Sequence, residues 1–304
     1  MFTLNHEPVI QEIKHGLAAG DVRLFIKRED MIHPVISGNK WRKLKYNLEA
    51  AKKDGHKVLL TFGGAYSNHI HATAGAARQY GFQSIGIIRG EEHLPLNPTL
   101  KQAAGMGMKL YYMDRSTYRE KHSDKVIEDL RDLFGNFYLV PEGGTNTLAI
   151  RGAAEIVSEI RDHYDYVVAA CGTGGTITGI ITGLEGKAKA LGVAVLKGGF
   201  LQNDVRHWLK QMSHEKLNHW EINDSYHFGG YAKFNETLIG FINDFKDRHK
   251  VPLDPVYTGK MMYGILDLIK QDYFAAGARI LAIHTGGLQG IRGFNERFGG
   301  LVNV

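Results

Sequence analysis

The sequence predicts a doubly wound α/β protein with parallel sheets, on three observations. Short apolar runs of strand length recur along the chain, several rich in Val and Ile as strands buried on both faces are. Segments of helical periodicity alternate with them, the signature of right-handed crossover connections. The 304 residues, 43% of them apolar, exceed the size at which one hydrophobic core keeps growing, so one large or two interleaved domains are expected.

In chain order, strands are expected at 58–62, 84–89, 109–113, 137–140, 166–171 and 279–284. Helices are expected near 69–80, 98–105, 124–134, 147–163, 176–183, 235–249 and 260–273. No internal repeat, low-complexity tract or long linker interrupts the alternation, and composition alone marks no domain boundary.

The net charge of +5 is spread among 32 acidic residues with no basic block, so a nucleic-acid partner is not expected. A mild cationic bias suits small substrates that carry carboxylate or phosphate. The single cysteine, Cys171, allows no intrachain disulfide and fits a reducing cytoplasm; at the end of a buried strand it reads as a small core residue. The start of the chain has no apolar run of signal-peptide length, and no stretch approaches the ~18 apolar residues of a membrane span. A soluble cytoplasmic protein with no membrane partner is expected.

Two strings carry most of the chemistry. SGNKWRKL at 37–44 places Lys40 in a short polar segment, and lysine is the side chain that condenses with an aldehyde once desolvation or nearby cations lower its pKa. Arg42 and Lys43 are expected to supply part of that field. An ordinary lysine at a helix start is a solvated charge. GGAYSNH at 63–69 follows the apolar run KVLLTF, so Gly63, Gly64, Ser67 and Asn68 gather at a strand end, where open α/β sheets bind ligands. Ser67 or Asn68 would also serve simply as an N-cap.

A third string, ACGTGGTITG at 170–179, leaves a strand and opens a helix. Gly172, Gly174 and Gly175 let the backbone wrap a phosphate, with Thr173 and Thr176 adding hydroxyls at the helix N-terminus. Neither a nucleoside-triphosphate loop nor a dinucleotide fingerprint is matched, since Ile177 stands where the third glycine belongs. His69 and His71, two residues apart on a helix, point to different faces, and no metal site is expected.

These three strings, with DPVYTGKMMYGI at 254–265 and HTGG at 284–287, resemble in order the fold-type II pyridoxal-phosphate enzymes, whose architecture is that of the tryptophan synthase β chain. The branch is the one containing 1-aminocyclopropane-1-carboxylate deaminase and D-cysteine desulfhydrase. The resemblance implies pyridoxal 5'-phosphate lying between a larger domain, 1–44 plus 136–304, and a smaller inserted one, 45–135, in a homodimer. It implies that Lys40 holds the cofactor, that Lys43 and residues 172–176 meet its phosphate, and that Asn68 bonds its phenolic oxygen. Ser67 would face the substrate, and Tyr231 and Tyr257 match two active-site tyrosines, although buried aromatics are more often core.

Two positions bear on substrate. In the deaminase pattern a glutamate follows the tyrosine of DPVY and pairs with the pyridine nitrogen, and the second HTGG position is apolar; here they are Thr258 and Thr285. Both match the desulfhydrase pattern, in which the second threonine holds that nitrogen. A neutral hydroxyl makes the ring a weaker electron sink than a carboxylate does. The expectation is therefore β-elimination from a small amino acid such as D-cysteine, with 1-aminocyclopropane-1-carboxylate deamination as the alternative. Residues 188–230 follow neither pattern. A nicotinamide-dependent oxidoreductase would explain the glycine loops but not Lys40 or the tyrosines, and a cofactor-binding protein without turnover would carry the same motifs.

Overall fold

The computed structural model describes residues 7–17 and 20–303. The chain runs β1 (Ile10–Ile13), β2 (Arg23–Lys27), α1 (Asn39–Lys53), β3 (Val58–Gly63), α2 (Asn68–Tyr80), β4 (Gln83–Arg89), α3 (Pro98–Gly105), β5 (Met108–Met113), α4 (Arg115–Arg119), α5 (Asp124–Phe134) and β6 (Tyr138–Val140). It continues α6 (Thr147–Ser158), β7 (Tyr166–Cys171), α7 (Gly175–Leu184), β8 (Lys189–Ala194), α8 (Leu201–Gln211), β9 (Trp220–Asn223), α9 (Glu236–His249), α10 (Thr258–Lys270), β10 (Arg279–Ile283) and α11 (Gln289–Phe298).

Two sheets form. The larger has the order β1-β2-β10-β7-β8-β9, parallel except for the antiparallel edge strand β1. The smaller, β5-β4-β3-β6, is wholly parallel. It takes in Tyr138–Val140 and so extends past residue 135.

Every expected strand is present, and β1, β2, β8 and β9 are additional. Their weak signals have a physical reason. β8 (KALGVA) has few branched residues because Gly192 packs directly against Cys171 and Ile177, and β9 (WEIN) is a four-residue edge. Helices α1, α4, α8 and α11 are also additional. The helix expected over 147–163 ends at Ser158, since the chain must turn before entering β7.

Period-two burial explains the layering. In β7, Val168 and Ala170 pack with Ile242, Phe245, Met261 and Ile265 of α9 and α10, while Val167, Ala169 and Cys171 pack on the other face with Ile156, Ile177 and Val205. In the smaller sheet, Leu59 faces α1 and α2, whereas Leu60 and Phe62 face α5.

Helix α1 belongs to both layers. Trp41, Leu44 and Leu48, on one stripe, pack with Leu59, Ala76 and Val140 of the smaller sheet's core. Arg42, on the opposite stripe, enters a buried ion network. It donates to Glu29 (3.0 and 3.1 Å) and, bidentately, to Glu159 (2.6 and 2.7 Å). Lys27 of β2 donates to Glu29 at 2.5 Å and to the Ile156 carbonyl at 2.7 Å. α6 lies so close that a Cβ on Gly152 would sit 1.9 Å from the Arg42 carbonyl oxygen, so only glycine fits there. Among the described residues no helix is long and apolar enough to cross a membrane.

Glu29 is fully buried and is shared by Lys27 and Arg42, so removing it leaves two cations poorly compensated. Glu29→Ala should cost about 3–5 kcal/mol in urea unfolding. Glu296→Ala, which breaks the exposed helical pair with Arg292, should cost about 0.5 kcal/mol or less. Equal losses would show that the buried network does not anchor α1.

Candidate active site

The site begins where α1 does. Gly38, the residue before the helix, has φ +66°, and a Cβ there would lie 2.0 Å from the Thr285 carbonyl oxygen. The same oxygen accepts from the Asn39 N–H at 3.2 Å. Only glycine lets the helix start approach the loop after β10 so closely, and this contact brings Lys40 beside Thr285. Lys40 is half-buried in the first turn of α1, and its Nζ donates to Asn39 Oδ1 at 3.1 Å. Burial pushes its pKa down to about 8, with the charge of Asp254 opposing. Arg42, expected to add to the field, is turned away and matched by Glu29 and Glu159.

Lys40, Asn39, Ser37, Asn68, Thr285 and Gln289 line one cavity at the strand ends. Asn68 opens α2 after β3; Thr285 follows β10. Ser67 acts as the N-cap of α2, its Oγ accepting from the His69 and Ile70 N–H groups at 3.2 and 3.3 Å.

The 172–176 loop runs from β7 into α7, with Gly174 (φ +75°) as the N-cap. Its hydroxyls join a network that reaches α1. Asn39 Nδ2 donates to Thr176 Oγ1 at 2.8 Å, Thr173 and Thr145 share a hydroxyl hydrogen bond of 2.7 Å, and Lys43 Nζ donates to Thr145 Oγ1 at 2.8 Å and to the Gly143 carbonyl at 2.5 Å. Lys43 is buried and its pKa is pushed well below the usual lysine range, first by burial and then by Lys40. His69, on the same side, is likewise held neutral by burial and the two lysines. The Thr61 hydroxyl donates to the Val140 carbonyl, so His69 Nε2–H donates to Thr61 (2.8 Å). Buried amines without carboxylates, hydroxyls and a helix N-terminus form a donor set suited to a phosphate dianion.

Tyr257 precedes α10, its ring against Gly172. Its hydroxyl donates to that of Tyr231 at 3.4 Å, and the rings meet edge-on at 6.1 Å. Burial raises the Tyr257 pKa well above the usual phenol range; it raises that of Tyr231 too, with the bond from Tyr257 opposing. Tyr231 is 51% exposed.

Thr258 and Thr285 prove to be unlike. Thr258 is fully buried, and its hydroxyl donates to Asp254 Oδ1 (2.7 Å) and accepts from the Asp254 N–H (2.9 Å). Asp254 also takes the N–H groups of Val256, Tyr257 and Thr258, capping α10. Thr258 therefore does not face the cavity; Thr285 does.

Sequence reasoning missed Thr145, Gln289 and Lys260. Lys260 lay within the DPVYTGK string, but its burial is not legible there. Fully buried, it donates to the His227 and Gly230 carbonyls, both at 2.8 Å, holding the turn that delivers Tyr231. Burial lowers its pKa to about 8, with Asp254 opposing.

The fold and this donor set define a pyridoxal-phosphate enzyme, and the comparisons agree. Residues 10–286 match the family model described as pyridoxal-phosphate dependent enzyme, and the chain belongs to that family. A Pyrococcus horikoshii protein provisionally named 1-aminocyclopropane-1-carboxylate deaminase is 32% identical over 90% of this chain and 87% of its own. A Klebsiella pneumoniae D-cysteine desulfhydrase is 29% identical over 87% and 86% of the two chains. A crystal structure of an ACC deaminase homologue superposes with a TM-score of 0.85 at 30% identity, covering 98% of this chain and 94% of that one. The cofactor is pyridoxal phosphate, which the donor set fits.

Lys260→Met keeps the stem and removes both hydrogen bonds. Amide exchange at Gly230 and Lys233, which close this turn, should quicken at least about tenfold. Unchanged exchange would mean that Lys260 does not hold the turn.

Proposed function

We propose that the chain is a pyridoxal-phosphate-dependent lyase that eliminates a leaving group from Cβ of a small D-amino acid such as D-cysteine, releasing a 2-oxo acid, ammonia and the leaving group. The observation that carries this reading is the cavity wall: among the described residues that line it, it offers the Thr285 hydroxyl and no Asp or Glu side chain. Asp254, close enough to oppose the lowering of the Lys40 pKa, spends both carboxylate oxygens on the α10 cap.

In this reading Lys40 holds the cofactor at its aldehyde carbon, residues 172–176 with Thr145 and Lys43 hold the phosphate, Asn68 donates to the phenolic oxygen and Thr285 to the ring nitrogen. The bound cofactor supplies an electron sink for the bonds at the substrate Cα. Lys40, whose amine is readily neutral, takes the α-proton. Ser67 stands at the α2 N-terminus, where the helix dipole favours a substrate carboxylate. Tyr257 keeps its proton and orients Tyr231, which passes a proton to the departing group.

Elimination needs the ring to carry charge only briefly, which suits a neutral hydroxyl. Cyclopropane opening lacks an acidic Cα hydrogen and needs the stronger sink. Deamination of 1-aminocyclopropane-1-carboxylate is the second reading, favoured by the names of the Pyrococcus relative and of the superposable structure. The proposal extends to a cytoplasmic homodimer, in keeping with the resemblance and with a lone buried thiol whose pKa burial raises to about 12. It also takes residues 45–135, with β6 added, as the smaller domain.

Borohydride reduction and peptide mapping should place the pyridoxyl group on Lys40; a label elsewhere overturns the assignment. Cofactor uptake by the stripped protein should quicken as pH rises through about 8, because the neutral amine is the reactive form. To separate the substrates, pyruvate release should be measured from D-cysteine, β-chloro-D-alanine, L-cysteine and D-serine, and 2-oxobutyrate release from 1-aminocyclopropane-1-carboxylate. The D-amino acids with good leaving groups should lead. Efficient ring opening would put the deaminase first.

A further inference from the structure

We propose that Gln289 decides which end of the Asn68 amide faces the cavity, making Asn68 a hydrogen-bond donor to an oxygen acceptor there, and that the same bond ties the two sheets together across the site. The proposal rests on the reading of this cavity as the pyridoxal-phosphate site and adds to it a positioning residue that none of the five motifs contains.

An Asn amide has nearly the same shape either way round, so its hydrogen bonds alone set whether N–H or C=O is presented. Three side chains from three helices form a polar chain here. The buried Thr99 hydroxyl of α3 donates to Gln289 Oε1 at 3.2 Å. Gln289, the first residue of α11, then donates through Nε2 to Asn68 Oδ1. With its oxygen occupied, Asn68 keeps Nδ2, which makes no hydrogen bond within the protein among the described residues, on the wall shared with Lys40 and Thr285. The absence of a Cβ at Gly287 leaves room for that amide, since one there would come within 3.1 Å of Nδ2.

The chain also crosses between layers. α2 and α3 pack on the smaller sheet, with Ile70, Ala74 and Leu100 in one apolar cluster beside Ile88 of β4. α11 belongs to the larger sheet, where Ile291 and Phe294 join the core under β10. Gln289 is thus positioned to make the donor available only when the two layers are in register.

The test reverses the polarity. Gln289→Glu puts an acceptor where Nε2–H stood, so Asn68 must turn its Nδ2 toward the carboxylate and its carbonyl into the cavity. Gln289→Met removes the bond without adding charge. The readouts are the dissociation constant of pyridoxal 5'-phosphate, by equilibrium dialysis of the stripped full-length protein, and the absorption maximum of the bound cofactor. Gln289→Glu should weaken binding at least about tenfold and move the maximum, and Gln289→Met should lie between it and the parent. In an Asn68→Ala background, which controls for the added charge, Gln289→Glu should change binding less than about twofold. Parent-like binding and spectrum in either single variant, or the same loss in the Asn68→Ala background, would overturn the proposal. If borohydride fails to label Lys40 in the parent, the reading of the cavity fails instead; a labelled parent with an indifferent Gln289→Glu variant sinks this inference alone.

Discussion

The site depends on how α1 is held. Three stripes of one helix do three jobs: Trp41, Leu44 and Leu48 bury themselves against the smaller sheet, Arg42 is locked into Glu29 and Glu159, and Lys40 and Lys43 are left facing the strand ends. Positions 40 and 43, three apart, share a face, and 42 falls opposite. An ion network sequestered from water is a costly way to gain stability, because desolvation offsets much of the attraction. Its value here is directional. Bidentate bonds to two carboxylates fix the rotation of α1, and the Gly38 and Gly152 contacts fix its depth. Rotating the helix by one residue would swing both lysines out of the site.

The electrostatics follow from what that arrangement leaves unpaired. Lys40, half-buried, and Lys43 and Lys260, buried, have no contacting carboxylate among the described residues, and each holds its proton less tightly than a surface lysine. Asp254, whose charge opposes this at Lys40 and Lys260, is committed to capping α10. A phosphate dianion beside Lys43 would restore the charge balance, so the anion and the amine's proton are favourable together. The same lack of compensation leaves the Lys40 amine readily neutral and Lys260 a tether whose donors go to backbone carbonyls rather than to an acid.

Strand ends from both sheets supply the walls. β3 delivers Asn68, β10 delivers Thr285 and Gln289, and β7 leads into the 172–176 loop that meets Asn39, as expected where open parallel sheets present their carboxyl ends. Tyr231 comes from a different source, the turn after β9, just past the stretch 188–230 that motif matching could not place. Its position is set at a distance, by Lys260 beneath it and Tyr257 beside it.

Local pattern was enough for the layers: β3, β4, β5, β7 and β10 are apolar runs bounded by turn residues, and α3 and α5 were expected at the bounds observed, 98–105 and 124–134. Ordered strings were enough to nominate Lys40, Asn68, the 172–176 loop and Thr285, because each is a short contiguous segment at a strand end. What the sequence could not reveal is which side chains turn inward and what they meet. Thr258 and Thr285 read as equivalent hydroxyls, yet Asp254, four residues before the first, claims it for a helix cap. Arg42 read as a source of field for Lys40, yet Glu29 and Glu159 neutralise it. Thr145 and Gln289 carry no motif, and Lys260 sits in DPVYTGK with no sign of its burial; they matter because the fold brings residues 43 and 145, 227 and 260, and 68, 99 and 289 into contact. Burial and hydrogen-bond partnership are properties of such distant pairs, and only the tertiary structure decides them.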